Sequence, residues 1–519
     1  MKAIKDIILI IFLMLSFKLS GQKLTGGDAI DAYINGLKEK YPILELSKAE
    51  MYADFDTLVS IMERCNPQYL VRKKVTSYDM IAEMKARRPQ VENCNKTSEF
   101  IKLLDNVLSL SLDEHCVFAR SVWFYKRNIY KKDIKINKIK EKDFGINFNY
   151  EAILDSCYQP DINLIYLNGQ YFLKNTTTFF NGNDTITISS GTEIFSFNNQ
   201  NIVSYLNSLK RRGSRWNFNE KKHYNSELPI NDTENNIVFN INNVKKNVLF
   251  NKFIQQERKR NEFQLNWFAA DSVLYLKIPA MSYYPKIMQQ FKENILEYKS
   301  KPVKSVIIDI RGNGGGNDKV WLELLSVISK KSIEYQYCHI YNDDKDVFKR
   351  YSPKTKKRIK YDFVDFFYQF RVFEEEKYTI KSSSKNLGYD GIIYLLVDED
   401  IYSSSLAFAS LSTKTNQIKT IGMYTGKIGG EGATPSVFIL PNSRLIFIME
   451  LILDATNVSK AEDFYHDHVD YPVIPSINYY KYWYAPNKPY EIDEEAMYEH
   501  DEVFKKALEL SIYFKRFIR

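Results

Sequence analysis

Four glycines and a run of three serines are the residues in this sequence whose type and spacing point to chemistry. The stretch VIIDIRGNGGGN, residues 306–317, runs from apolar residues into an acid, an arginine and glycines 312, 314, 315 and 316. Without Cβ atoms in such a turn, backbone N–H groups and the start of the next helix can approach a ligand oxygen closely. Two jobs fit: cradling a phosphate, or forming an oxyanion hole in which N–H donors meet a developing negative oxygen. A Walker loop needs Lys followed by Ser or Thr after its last glycine, and here Asn317 and Asp318 follow; GNGGGN also lacks the third glycine of a dinucleotide fingerprint. An oxyanion hole needs a nucleophile. The stretch LLVDEDIYSSSLAFASL, residues 395–411, offers Ser403, Ser404 and Ser405 between an apolar strand and an apolar helix, where a serine is also an ordinary helix cap.

These stretches meet only if the surrounding elements form one sheet. From Ser272 onward the pattern alternates: SVLYLKIPA, the amphipathic PKIMQQFKENILEYKS with Ile287, Met288, Phe291, Ile295 and Tyr298 on one face, SVIIDI, DKVWLELLSVIS, GIIYLLV, SSLAFASLS and KTIGM. Such alternation predicts a parallel or mixed sheet covered by helices. Ligands gather outside the carboxyl ends of such strands, and the glycines and serines both fall at strand ends. Residues 330–390 form a charged, aromatic insertion whose length suits a lid or a solvated decoration. Upstream, Ser47 to Leu112 carries apolar residues at helical spacing. Between about 134 and 238 the texture turns to β-branched residues, aromatics, Asn and Gly, which reads as a β-rich module.

The fold class expected is therefore a multidomain α+β and α/β chain. Its divisions are a leader over 1–21, a helical amino-terminal domain over 22–133, the β-rich module over 134–238 and a linker or edge region over 239–270. An α/β catalytic domain with a mixed sheet covered by helices follows over 271–483, and a closing helix over 484–519.

Composition narrows the partners. The chain has 519 residues, 44% of them hydrophobic, enough for substantial cores. A net charge of +8, with no basic block interleaved with aromatics, argues against nucleic acid. Five scattered cysteines without a CxxC pair exclude a disulfide framework and a structural zinc site. The opening MKAIKDIILIIFLMLSFKLSGQ has Lys2 and Lys5 ahead of an eleven-residue apolar run from Ile7 to Phe17 and a small-residue exit near Gly21. That is a signal-peptide pattern, since a membrane span needs about twenty residues. An exported, periplasmic or secreted protein without a stable membrane span is expected.

Four separated motifs, VIIDIRGNGGG, IYSSSLAFA, TIGMYTGKIGG and FILPNSRLIF, resemble the carboxyl-terminal processing proteases, the serine peptidases related to tail-specific proteases and the tricorn core. SLDEHCVF resembles the D-G-H-T turn that closes their helical region, SSGTEIFSFNNQNI the core of a PDZ module, and DEVFKKALEL their closing helix. The resemblance implies an exported serine endopeptidase that cleaves peptides or unfolded or tagged proteins through an acyl-enzyme on Ser403. It implies an oxyanion hole from Gly315 or Gly316 and Ser404, and either of two bases, His115 on the D-G-H-like turn or Lys427 in TGKIGG. His115 is preferred, because related Y-S-S sequences often carry T-G-G at the lysine position and a lysine base demands burial. An orienting acid is expected among Glu462, Asp463 and Asp467. No metal or organic cofactor is implied. Glu114 for glycine, Leu406 for glutamate and Met423 for glutamate depart from the family pattern, so a catalytically inactive peptide-binding protein on the same scaffold is the alternative.

Overall fold

The computed structural model describes residues 26–119, 131–155, 161–230, 234–256, 263–350, 370–372, 376–430, 434–465, 469–484 and 492–517. The expected leader and Asp467 lie outside them. Among the described residues no helix is long and apolar enough to cross a membrane.

A six-stranded sheet places the glycines beside the serines. Its order is Gln264–Phe268, Val273–Lys277, Ser305–Asp309, Ile393–Val397, Ile418–Gly422, Tyr471–Pro472. The first pair is antiparallel and the rest run parallel, which makes the sheet mixed. Ser305–Asp309 and Ile393–Val397 are buried at every residue, as expected for strands covered on both faces. One face packs Leu276, Ile308 and Leu395 against Phe291, Trp321, Leu325 and Phe408. The other packs Tyr275, Ile307 and Leu396 against Met497, Phe504 and Ala507 of the closing helices. Along Pro285–Leu296 the buried residues are Met288, Phe291 and Ile295, while Ile287, expected on the same face, is exposed.

The amino-terminal helices share their core with a distant strand pair. Met51, Phe55, Met62, Phe100 and Leu104 pack with Phe447, Met449 and Leu451. Helix Lys48–Cys65 starts at a capping box between Ser47 and Glu50. Short strand Val117–Phe118 pairs antiparallel with Ile446–Met449, Val117 opposite Ile448. Two expectations shift here. Residues 141–155 form a helix packed on this region rather than the start of the β-rich part; Asn and Gly mask its periodicity, and Gly145 permits contact with Tyr41, since a Cβ there would lie 2.6 Å from the tyrosine ring. The boundary expected at residue 238 falls inside strand Asn235–Ile241, which joins Glu193–Phe197 and Val244–Phe250 in one sheet. The described part of the 239–270 region is thus largely strand, and Lys252–Gln255 pairs with Thr177–Asn181.

The described part of the 330–390 insertion is tied into the body. His339–Asn342 pairs with Leu453–Asp454, and Asp344 accepts from Arg64 of the helical region at 2.7 Å.

A buried ion network anchors the glycine turn. Arg311 donates to both oxygens of Asp501 at 2.9 and 2.7 Å and to Asp309 at 2.8 Å, while Lys277 lies 2.9 Å from Asp309. Asp309 and Arg311 therefore brace the turn and tie it to the last helix. Burial opposes the charge on Asp309, but Arg311 and Lys277 hold its carboxyl well below the usual range. That stabilisation is complete above the unfolded value of about 3.9 and is lost as pH falls below it. Replacing Arg311 by Met strands two buried carboxylates and is expected to cost about 3–5 kcal/mol, read by denaturant unfolding at pH 7.

Candidate active site

The serine turn is strained where chemistry needs exposure. Ser403 precedes helix Ser404–Ser410 with φ 56° and ψ −125°. A non-glycine residue at positive φ stores roughly 1–3 kcal/mol and marks turns that hold a reactive side chain out of register. Ser403 is half-buried, whereas Ser404 and Ser405 are buried at 4% and 0% exposure. Of the three hydroxyls, Ser403 is the one a substrate can reach. Leu406, where the family pattern has an acid, belongs to the core beneath.

The glycine turn lies directly against it. A Cβ on Gly315, whose φ is 101°, would fall 2.6 Å from Ser403 Cβ and 2.6 Å from the Tyr402 carbonyl. The loops are also bonded: Tyr402 N–H donates to the Asn313 carbonyl at 3.2 Å, and Gly312 N–H to Asp398 at 2.9 Å. Gly315 N–H is taken by the Asn313 side chain at 2.9 Å. The expected pair of donors therefore narrows to Gly316 and Ser404, whose N–H groups have no acceptor among the described residues. A Cβ on Gly316 would meet the Met281 carbonyl at 2.4 Å, so that position too requires glycine.

His115 is held opposite an acid that sequence reasoning missed. Its Nδ1 lies 3.0 Å from Glu450 Oε1. Strand register explains the pairing, since Val117 faces Ile448 and two further steps along the antiparallel pair bring His115 opposite Glu450. Glu450 is 1% exposed, and its other oxygen accepts from Gly430 N–H at 2.7 Å and Gln68 Nε2 at 3.1 Å. Asp113 accepts from His115 N–H at 2.8 Å and from Tyr402 O–H at 2.6 Å, joining the histidine turn to the residue before Ser403. The His115 and Tyr402 rings lie 4.8 Å apart. Burial disfavours the charged imidazole, but the Glu450 hydrogen bond and charge, with Asp113 and Glu114, outweigh it and raise the His115 pKa above its ordinary value.

The other expected residues lie elsewhere. Asp463 accepts from Ser459 and Lys460 within its own turn, and neither it nor Glu462 bonds His115. The carboxylate that does bond His115, Glu450, follows the strand paired with the histidine turn. Its signal in the sequence was a lone carboxylate inside the apolar run LIFIMELIL, since a charge is rarely buried there without a partner. Lys427 donates to Glu114 at 2.6 Å with its ammonium 5.1 Å from the Tyr402 ring centre. Glu114, a departure from the family pattern, and Lys427, the alternative base, are thus the two halves of one ion pair.

Behind the glycine turn a charged cavity of about 820 Å³ separates the β-rich region, the strand ends and the closing helices. Glu114 and Lys427 stand in its wall, but Ser403 and His115 do not. Its bases are paired with its acids, Lys174 with Asp400 and Arg215 with Glu399 and Asp400.

A half-buried serine at a strained strand end, a bare-backbone turn against it and a buried His–Glu pair fit a serine-type peptidase. Residues 272–452 match the model of peptidase family S41. The fold is shared with mature CPAF: the complex with lactacystin superposes with a TM-score of 0.54 at 12% identity, covering 89% of this chain and 98% of that one. A second crystal structure of mature CPAF gives 0.54 at 11% identity over the same shares. No curated protein sequence matches this chain significantly.

Gly315→Ala is expected to push the turn away from Ser403 and lower kcat/KM by on the order of a hundredfold, the cost of about 1 Å of misplacement. Steady-state cleavage of an unfolded protein substrate, with unfolding measured in parallel, checks it.

Proposed function

We propose that the chain is an active, exported serine endopeptidase in which Ser403 is the nucleophile, His115 the general base and Glu450 the acid that orients it. The observation that carries this reading is the His115–Glu450 hydrogen bond on the same turn that binds Tyr402, the neighbour of Ser403. With Nδ1–H directed at Glu450, Nε2 is left with the lone pair that accepts the serine proton.

The steps follow from these placements. Ser403 Oγ attacks the scissile carbonyl carbon as His115 Nε2 takes its proton. The oxyanion is met by the N–H groups of Gly316 and Ser404, the latter also at a helix start. Collapse breaks the C–N bond and His115 returns the proton to the leaving amine. Water then attacks the ester with His115 again as base, releasing the acid product and Ser403.

Lys427 fits a structural role better than a catalytic one, because an ammonium donating to Glu114 has no lone pair for the serine proton. The β-rich region from Ile162 to Gln255 acts as the PDZ-like module, presenting an extended peptide or unfolded chain by adding it to a sheet edge. The departures at Glu114, Leu406 and Met423 leave nucleophile, glycine turn and base in place, which favours activity over the inactive peptide-binding alternative.

Ser403→Ala is expected to abolish cleavage of an unfolded protein substrate, while Ser405→Ala and Lys427→Met retain measurable turnover. Equal loss in the Ser403 and Ser405 variants would reject the assignment, and loss in Lys427→Met with retention in His115→Ala would make the lysine the base.

A further inference from the structure

Helix Gln68–Thr76 of the helical region delivers a side chain to the site that no motif marks. Gln68 is 1% exposed. Both hydrogens of its amide are directed at carboxylates: Nε2 donates to Asp113 Oδ2 at 2.8 Å and to Glu450 Oε2 at 3.1 Å. Its own oxygen accepts from the Arg72 guanidinium at 3.0 Å, and Arg72 is 2% exposed. The backbone holds the residue in place, since Asn66 Oδ1 accepts from Gln68 N–H at 2.9 Å. Chain is packed tightly around the contact: a Cβ on Gly429 would fall 2.2 Å from Gln68 Nε2 and 2.6 Å from Glu450 Oε2.

Each carboxylate then has one oxygen on Gln68 and the other turned to the catalytic turn. Asp113 Oδ1 holds His115 N–H and Tyr402 O–H, and Glu450 Oε1 holds His115 Nδ1. We infer that Gln68 is a positioning residue for the base: its amide separates and orients two buried carboxylates, with Arg72 behind it, so that Glu450 presents one oxygen to His115. This rests on the proposed roles of Ser403 and His115. The physical need is plain, because two buried carboxylates sharing one histidine repel each other unless a donor lies between them, and an amide supplies two donors without adding a charge.

The groups facing His115 are Asp113 and Glu114 on its own turn, Glu450 and Tyr402 from the opposing elements, and Lys427 through its pair with Glu114. Removing the Gln68 donors leaves the charges of Asp113 and Glu450 less shared, so the imidazolium is stabilised and the base becomes harder to deprotonate.

The test uses the full chain, with sites counted by a fluorophosphonate that phosphonylates the serine with loss of fluoride, and follows peptide cleavage against pH. In Gln68→Leu the kcat per titrated site is expected to fall on the order of tenfold to a hundredfold, the range seen when the partner of an oriented imidazole is lost, with KM little changed. The acid limb of kcat/KM is expected to move to higher pH, and further in Gln68→Glu, which keeps the size and adds a third acid. A role confined to folding would lower the number of titrated sites and leave kcat per site and the limb unmoved; that result in either variant overturns the inference. If the wild-type chain is not phosphonylated at Ser403, the catalytic reading fails and the inference with it, whereas a labelled wild type with unaffected Gln68 variants removes the Gln68 role alone.

Discussion

The site depends on keeping a carboxylate charged where water cannot reach it. Glu450 is 1% exposed at the end of an apolar strand, and an ion there is tolerated when its oxygens are hydrogen-bonded. Gly430, Gln68 and His115 supply those bonds. The local architecture follows from that requirement. Glycines 429 and 430 let the backbone come close enough to donate, and the helical region must reach in with Gln68. The strand pair in turn must hold the register that sets His115 opposite the acid.

That requirement also explains why one core is shared by segments far apart in sequence. The strand leading to Glu450 is buried among the amino-terminal helices through Phe447, Met449 and Leu451, so base and acid are fixed by the same packing. Ser403 is fixed differently, by the central sheet and the brace from Arg311 to Asp501. The hydrogen bond from Tyr402 to Asp113 joins these two bodies, one residue from Ser403. A serine protease site assembled in this way is sensitive to any shift between them, because nucleophile and base belong to different cores.

How much of this was legible in the sequence follows from how local each signal is. The strand and helix alternation after Ser272, the bare turn at Gly314–Gly316 and the serine turn are local patterns, and they led to the sheet, its strand ends and Ser403. Glu450 was hidden because its partner is set by an antiparallel register between residues 117 and 448, which no local spacing reveals. Gln68 was hidden for the same reason, being an unremarkable polar residue at a helix start. The helix over Glu141–Asp155 was obscured by Asn and Gly on its buried face, and the end of the β-rich region by polar residues on the solvent side of Val244–Phe250. Lys427 was a candidate base on its type and near-matching position, and its ion pair with Glu114 joins residues too far apart in sequence for local spacing to reveal.

The central claim is that a buried His115–Glu450 pair activates Ser403. Its most direct measurement is the rate of phosphonylation by a fluorophosphonate against pH in the wild-type chain and in Glu450→Gln, with the adduct located by mass spectrometry. The account predicts one adduct, on Ser403, with an acid limb above the ordinary histidine value of about 6.5, because His115 must lose its proton to act and Glu450 helps to retain it. In Glu450→Gln the reaction slows and the limb moves to lower pH. An adduct on Ser404 or Ser405, or a limb that Glu450→Gln leaves unchanged, contradicts it.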